Sequence, residues 1–501
     1  MARMRAVLVS ILFAVVAAPG VQLVPVNAAK AAVSSRSREI PAATVRSDFA
    51  VLYSTLQEAH FDLYAHRSKL EYDRFYRELA ATIRGPMDAT VVATLFQRFV
   101  AYGRIGHARV DAPTTAFVAY LNGGGTMLPI FIRVDGRRVL LTQAAEDTGV
   151  LRAGVEITAI DGVPIDEVVK RLGGYVSAER PYMAAAQMEQ SFPALLWLDR
   201  GPLSSVAVTA TDAGRSQTVL VRAVTRTQRQ ILAAKFPSGA PPELSGRGFR
   251  LLGEGVAYLR PGPFFDTDQR GGGPEPSYQA ASFLNFIDDS FGKVIASGAS
   301  DLVIDLRDNP GGDNSFSDPM VAWFADKPFR FASAFMLRSS AATKADYARL
   351  RAAGTPIDPE FARQMNVEAQ QPNGTRYRYE LPLVQPREGA RFKGRVWVLI
   401  NRHSYSNAAS VAALVQDYGF GKVMGEETAD VASNFASVQS FTLPRTGITV
   451  TYPKSHFIRP NGVDEVSGVK PDIVIERPAV GASEDTVLNA AAQIIRASRQ
   501  G

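Results

Sequence analysis

Hydrophobic residues recur every three or four positions from residue 46 to about residue 100, and this spacing predicts amphipathic helices. Gly85 and Pro86 interrupt the pattern, which then resumes as far as Ala101. Between residues 120 and 225 the apolar runs are shorter, and turn residues separate them; one of them, 155–160, ends in an Asp-Gly turn. We therefore expect an N-terminal helical segment over 46–115 and a small, mostly-β domain over 120–225.

Residues 245–498 follow a different order, in which strand, loop and helix patterns alternate. This order predicts an α/β domain. Two apolar strands, 301–306 and 396–401, run directly into polar or glycine-rich turns at their carboxyl ends, where α/β sheets commonly carry their chemistry. The stretch 347–373, with several prolines and glutamines, is expected to be a surface insertion.

The N-terminus has the pattern of an export signal. Arg3 and Arg5 precede an apolar run from Ala6 to Ala18, and small residues follow up to residue 29. This predicts a signal peptide over 1–29 and an exported, periplasmic or secreted protein. The alternative is an uncleaved signal that anchors the chain to the membrane. The small and polar residues 30–45 are expected to form a flexible lead-in.

Composition then removes several classes of function. The 501 residues include no cysteine, which excludes a thiol nucleophile and thiolate metal sites. The formal net charge is +6, of which two charges belong to the predicted signal peptide, and the basic residues are scattered. A nucleic-acid surface needs clustered basic residues, so we expect no nucleic-acid partner. No metal or cofactor is implied, and the oligomeric state stays open.

Two strand-ending turns are candidates for catalysis. Ser406 opens an alanine-rich helical pattern that Gly419 ends. A serine at a helix start lies beside unpaired backbone N–H groups that can stabilise an oxyanion, although the same position suits a simple helix cap. The turn with Gly311 and Gly312 exposes further N–H groups, and it too has a purely structural alternative as a strand-ending turn.

Several motifs in a fixed order resemble the C-terminal processing (tail-specific) serine peptidase family. They are LRDNPGG at 306–312, the helix ending in QDYG at 416–419, GEET at 425–428 and GVKPDI at 468–473. The segment 154–164 resembles the PDZ-like domain of that family, and 255–259 resembles the first strand of its catalytic core. The resemblance implies a catalytic core of the crotonase/ClpP type, a PDZ-like domain over 120–225 that binds extended peptide, and peptides or protein tails as substrates.

The resemblance also implies the roles of individual residues. Ser406 becomes the nucleophile, and the oxyanion hole is formed by the amides of Asn407 and Gly311, with Gly312 as the rival of Gly311. The general-base lysine of one branch of the family is missing, since Asp430 and its neighbours stand where a Phe-Gly-Lys is expected.

A serine hydroxyl needs a base, and the tricorn-like branch of the family uses a histidine and a glutamate instead of the lysine. The stretch 102–110 (YGRIGHARV) resembles the histidine motif of that branch, which makes His107 the expected general base and acid. Glu465, three residues before Gly468, matches the glutamate that orients it, directly or through an intervening group. His456 is the second choice for the base, and Lys422 and Lys454 are the remaining lysine candidates.

We therefore expect an exported serine endopeptidase that works through an acyl-enzyme on Ser406. The missing lysine keeps open a catalytically inactive relative that binds peptides or other ligands. A serine esterase is also open, because the same machinery transfers acyl groups from either bond.

Overall fold

A computed structural model describes residues 39–236, 246–267, 280–354, 357, 359–482 and 484–499. The predicted signal peptide and the first part of the predicted lead-in lie outside these residues. The prediction of a flexible lead-in as far as residue 45 is wrong at its end. Strand β1 (Glu39–Ile40) and helix α1 (Ala42–Ala59) already begin there, because Ile40 and Val45 are buried in a hydrophobic core.

The N-terminal region is helical, as predicted. After α1 its elements are α2 (Lys69–Thr82), β2 (Met87–Asp88), α3 (Ala89–Ala101), β3 (Arg109–Val110) and α4 (Ala112–Asn122). The core of this region is shared with the rest of the chain, since Val450 and Tyr452 belong to it. Buried Asp48 also accepts hydrogen bonds from the backbone N–H groups of Arg445 and Thr446. The helices therefore pack directly on the C-terminal part of the chain.

The middle region is a six-stranded sheet with helices. Its elements are β4 (Ile132–Asp135), β5 (Arg138–Leu141), β6 (Glu156–Ile160), β7 (Val163–Pro164), α5 (Ile165–Leu172), α6 (Pro181–Arg200), β8 (Ser205–Asp212), β9 (Arg215–Arg222) and α7 (Arg226–Lys235). The sheet order is β4-β5-β6-β8-β9, with β7 paired to β6. A mostly-β domain is expected from the sequence, but the region also contains α6, a helix of 20 residues. Its apolar face, which includes Phe192 and Leu196, fills the core beside the sheet.

The C-terminal region has the predicted α/β organisation. Its first elements are β10 (Gly248–Leu251), β11 (Val256–Arg260), α8 (Ala281–Ala296), β12 (Asp301–Asp305), α9 (Asn314–Ala322), β13 (Ala334–Arg338), α10 (Ala341–Ala352), α11 (Pro359–Ala369) and β14 (Arg376–Arg378). They are followed by β15 (Arg395–Ile400), α12 (Asn407–Tyr418), β16 (Lys422–Gly425), β17 (Asn434–Thr442), β18 (Thr449–Ile458), β19 (Ile473–Val474) and α13 (Thr486–Ala497).

The main sheet has the order β10-β11-β12-β15-β16-β19, and all of its neighbouring strands are parallel except β10 and β11. Side chains of one face, such as Ile304 and Val398, pack against α8, α9 and α12, while Val303 and Leu399 on the other face pack against α13. Burial on both faces explains the continuous apolar runs of these strands.

A second sheet joins the N-terminal region to the C-terminal one. Its order is β14-β13-β18-β17, and β3 pairs with β18 through Val110 and Val450. This pairing brings the residues just before β3 next to the C-terminal region. In the described part of the chain, no helix has the length and apolar character needed to cross a membrane.

Candidate active site

Ser406 lies in a strained turn between β15 and α12. Its backbone has φ 53° and ψ −124°, a conformation that a residue with a side chain rarely adopts. Its side chain makes no helix-capping hydrogen bond, so the alternative of a simple N-cap does not apply. The neighbouring Ser404 instead donates from Oγ to the Leu306 carbonyl at 2.7 Å, which ties the turn to the end of β12. Of these two serines, Ser404 therefore stabilises the turn, whereas the hydroxyl of Ser406 is not used to hold the turn or to cap the helix.

His107 faces Ser406 across 299 positions of sequence. Its Nε2 lies 3.1 Å from the Ser406 Oγ. The ring is stacked on that of Tyr405, with 5.2 Å between centroids and an interplanar angle of 29°. The two predicted residues are thus within hydrogen-bond reach, and the imidazole is held by an aromatic neighbour from the same turn as the serine.

Burial, helped by the charge of Arg109, lowers the pKa of His107 to about 3, and the backbone of Phe435 opposes this shift. The ring is therefore neutral at neutral pH, which is the form that can accept a proton. Its Nδ1 is buried and makes no hydrogen bond of ordinary geometry. The Phe435 backbone lies close enough to favour the protonated ring but does not complete such a bond.

The structure does not bring Glu465 to His107. The Glu465 side chain is exposed, and its backbone carbonyl accepts from the Ser467 N–H at 2.8 Å. A direct hydrogen bond between Glu465 and the His107 ring is thus absent, because the glutamate points to the surface while Nδ1 is buried without a hydrogen bond. A connection through an intervening group stays a prediction.

The two glycines after β12 differ in their availability as oxyanion donors. The Gly311 N–H donates to the Asn309 side chain at 2.9 Å, so the amide that the resemblance put first is already engaged. Within the described residues, the N–H groups of Gly312 and Asn407 have no protein acceptor. The N–H of Gly312 is thus available beside that of Asn407, while that of Gly311 is engaged; the choice between the two glycines as oxyanion donor stays a prediction.

Gly311 has a steric role instead. A Cβ added there would lie 2.6 Å from the Tyr405 carbonyl oxygen, 2.7 Å from the Asn407 nitrogen and 2.8 Å from the Ser406 Cβ. Its φ of 89° also disfavours any side chain. The glycine lets the turn after β12 touch the serine turn.

The other base candidates have partners of their own. His456 Nε2 lies 3.2 Å from an Asp464 carboxylate oxygen. Lys454 is buried in an ion pair with Glu368 at 2.7 Å, while Lys422 is exposed on β16. These groups are held in other contacts or face the solvent.

Two further histidines are also held elsewhere. His403 Nε2 lies 3.1 Å from Glu189, whose carboxylate raises the pKa of the ring against the effect of burial. His60 is buried, and its Nδ1 accepts from the Asp62 N–H at 3.1 Å. His66, on the same loop, is half-buried.

Two buried carboxyl groups near the serine–histidine pair escaped the sequence analysis. Asp430 Oδ2 accepts from the Ser406 N–H at 2.5 Å, and Glu179 Oε1 accepts from the Gly106 N–H at 2.8 Å. Burial raises the pKa of Asp430 to about 7, and burial together with the charge of Asp430 raises that of Glu179 to about 8. The only signal in the sequence was an aspartate where one branch of the family has its lysine.

The described residues contain no group of three or more histidine, aspartate or glutamate side chains arranged to hold a metal ion.

A parallel α/β sheet with a strained serine turn and a facing histidine is the arrangement of a serine-type peptidase. Residues 278–475 match the sequence profile of Peptidase family S41. This part of the chain is therefore similar to Peptidase family S41, the C-terminal processing peptidases. The matched part includes Ser406, and His107 lies outside it.

Solved structures share the fold. The structure of mature CPAF complexed with lactacystin has 17% sequence identity and a TM-score of 0.62, and the similarity covers 91% of this chain and 99% of that one. A crystal structure of mature CPAF has 16% identity and a TM-score of 0.56, with 86% and 92% covered. No curated protein matches the chain.

Proposed function

We propose that the protein is an exported serine endopeptidase that hydrolyses peptides or protein tails through an acyl-enzyme on Ser406, with His107 as general base and acid. The observation that carries the proposal is the 3.1 Å distance between His107 Nε2 and Ser406 Oγ. Nothing in the sequence near either residue requires this contact, and a neutral imidazole at this distance can take the serine proton. Export rests on the N-terminal pattern of residues 1–29.

In the first half of the reaction, Ser406 Oγ attacks the carbonyl carbon of the peptide bond while its proton passes to His107 Nε2. The negative charge that develops on the carbonyl oxygen is stabilised by the N–H groups of Gly312 and Asn407. Collapse breaks the carbon–nitrogen bond, and His107 returns the proton to the leaving amine. A water molecule then attacks the ester carbon and loses a proton to His107. Collapse of this second intermediate breaks the bond to Ser406 Oγ, which takes the proton back from His107, and the acid product leaves.

The proposed domain boundaries are those of the sequence analysis, with the lead-in shortened, and the middle region is proposed to be PDZ-like. Its edge strand β9 is largely exposed along its length. An exposed edge strand can pair with an extended peptide, which is the way such domains capture chain ends. Glu465 is proposed to orient His107 only through an intervening group.

The test is hydrolysis of a broad peptide library by the wild type and by three variants, Ser406→Ala, His107→Ala and His456→Ala. We expect no turnover with Ser406→Ala and a loss of about 10²- to 10⁴-fold with His107→Ala. His456→Ala is the matched control and should stay within a few-fold of the wild type, because its ring is paired with Asp464.

Equal turnover by the wild type and Ser406→Ala would contradict the proposal. Turnover of activated esters but not of peptides, lost with Ser406→Ala, would identify an esterase. Binding of peptides without any turnover would favour an inactive relative.

A further inference from the structure

The segment that leads into α6 touches the backbone of the predicted catalytic histidine. Glu179 is buried, and its Oε1 accepts from the N–H of Gly106, the residue before His107, at 2.8 Å. Its second oxygen, Oε2, is buried without a hydrogen-bond partner. A buried carboxyl group that is only half satisfied costs stability, so packing alone gives no reason for a glutamate here.

The Gly106 peptide is held at both ends. Glu179 accepts from its N–H, and the Tyr405 hydroxyl donates to its carbonyl at 3.1 Å. A Cβ on Gly106 would lie 2.3 Å from the Met183 Cε and 3.0 Å from Glu179 Oε2, so a side chain at this position would displace the Met183 end and press on the Glu179 carboxyl group. The Phe435 backbone lies near the His107 ring without completing a hydrogen bond of ordinary geometry to Nδ1. The orientation of the ring therefore depends also on these contacts of the Gly106 peptide and on the stacking with Tyr405.

The residue after Glu179 also contacts the loop that supports Ser406. Arg180 forms an ion pair with Glu427 at 2.6 Å and donates to the backbone carbonyls of Thr428 and Ala429. Asp430, the next residue, accepts from the Ser406 N–H. The start of α6 therefore bridges the loop that carries the histidine and the loop that supports the serine.

We propose that Glu179 is a positioning residue, which holds the Gly106 peptide so that His107 faces Ser406, and that the middle region is for this reason required for the chemical step itself. The inference rests on the proposed function, because it assumes that His107 is the base. The middle region then contributes to the chemical step as well as to the proposed capture of substrate.

The test compares kcat and KM for one cleaved peptide among three Glu179 variants. Glu179→Gln keeps an oxygen at the same reach, whereas Glu179→Asp keeps the carboxyl group but is one methylene shorter, and Glu179→Ala removes the acceptor. We expect kcat to fall about 10- to 100-fold with Ala and Asp at nearly constant KM, because a displacement of the base by about 1 Å costs rate rather than binding. Glu179→Gln should restore kcat to within about threefold, because its amide oxygen can still accept from Gly106.

Asp199→Ala is the matched control. Asp199 lies on the same helix, is nearly buried and pairs with Arg171 at 2.9 Å within the middle region. It should lower the melting temperature without changing kcat. If Glu179→Ala does not fold, the Gln and Asp variants decide the question alone.

Wild-type kcat in Glu179→Asp, or a loss of kcat in Asp199→Ala equal to that in Glu179→Ala, would overturn the inference. His107→Ala is measured in parallel to separate the two proposals. If His107→Ala is inactive while Glu179→Asp is unimpaired, only the positioning role fails. If His107→Ala retains full activity, the proposed function itself fails.

Discussion

The buried carboxyl groups Glu179 and Asp430 should make the protein less stable as the pH rises. The pKa of Glu179 is raised from 4.5 to about 8 by burial and by the charge of Asp430. The pKa of Asp430 is raised from 3.8 to about 7, mainly by burial. At pH values between the unfolded and the folded pKa of each group, the native state keeps a proton that the unfolded chain has already released. The contribution of these two groups to stability is therefore most favourable at low pH, where both states are protonated, and it is lost as the pH rises from the unfolded towards the folded pKa values.

The magnitude for Glu179 follows from its two pKa values. Each unit of difference corresponds to about 1.4 kcal/mol. Integration between pH 6 and pH 9 gives a loss of about 3 kcal/mol, because the native group ionises only near the end of this range. This is a large share of the roughly 5–15 kcal/mol that stabilises a typical domain.

The assay is the free energy of unfolding from urea titrations at pH 6, 7, 8 and 9 for the wild type and for Glu179→Gln. A neutral amide cannot ionise, so the variant should gain stability relative to the wild type by about 3 kcal/mol over this range. Buried histidines such as His60 and His107 change protonation equally in both proteins, so their effect cancels in the difference.

Glu146→Gln is the control. Glu146 lies in the same region, and the pKa of its carboxyl is lowered, against the effect of burial, by hydrogen bonds from Thr148 and from backbone N–H groups including that of Leu151. Its contribution is present above the unfolded pKa and lost only as the pH falls, so the difference from the wild type should be constant between pH 6 and 9. Parallel profiles for the wild type and Glu179→Gln would refute the reasoning.

Two substitutions elsewhere test the packing around the site. Gly311→Ala should lower kcat at least about 10²-fold, because its Cβ would meet the Tyr405 carbonyl at 2.6 Å and displace the serine turn. Gly354→Ala is the control and should keep the wild-type kcat, since Gly354 also has a positive φ, 66°, but open space around it. A Gly311→Ala enzyme with wild-type kcat would contradict the geometry. Lys454→Met should lower the unfolding free energy by about 3–5 kcal/mol, since it leaves the Glu368 carboxylate buried without its 2.7 Å partner. The double change to Lys454→Met with Glu368→Leu should recover most of that loss in denaturant titrations, and a double variant as unstable as the single one would contradict the ion-pair account.

The elements that could be predicted from the sequence are those whose pattern is local. The apolar runs of β12 and β15, buried on both faces, end where the predicted strands end to within a residue. Gly419 adopts the left-handed conformation that stops α12, with φ 72°. The serine turn and the glycine turn were therefore placed correctly, because each is fixed by a strand, a turn and a helix that follow one another in the chain.

Features that depend on distant contacts were harder to predict. Glu179 has no local motif, and its importance comes from Gly106, 73 positions away. The stretch 347–373, predicted as a surface insertion, contains the buried residues Tyr347 and Glu368, since both contact Lys454 of β18. Composition made the stretch look exposed, and only the tertiary contact with a buried lysine explains its glutamate.

The role of the glycines after β12 shows a different limit. Resemblance could place an oxyanion donor at Gly311 or Gly312 but could not choose between adjacent amides. The choice depends on the Asn309 side chain, which accepts from the Gly311 N–H and leaves that of Gly312 without an acceptor in the described chain.

The central claim is that His107 activates Ser406, and active-site labelling tests it most directly. The wild type, His107→Ala and Ser406→Ala are treated with a fluorophosphonate, and the labelled residue is mapped by peptide mass spectrometry while the labelling rate is measured. We expect the wild type to be labelled on Ser406, Ser406→Ala to remain unlabelled, and His107→Ala to react at least about 100-fold more slowly. Labelling of another serine, or a labelling rate that His107→Ala leaves unchanged, would contradict the account.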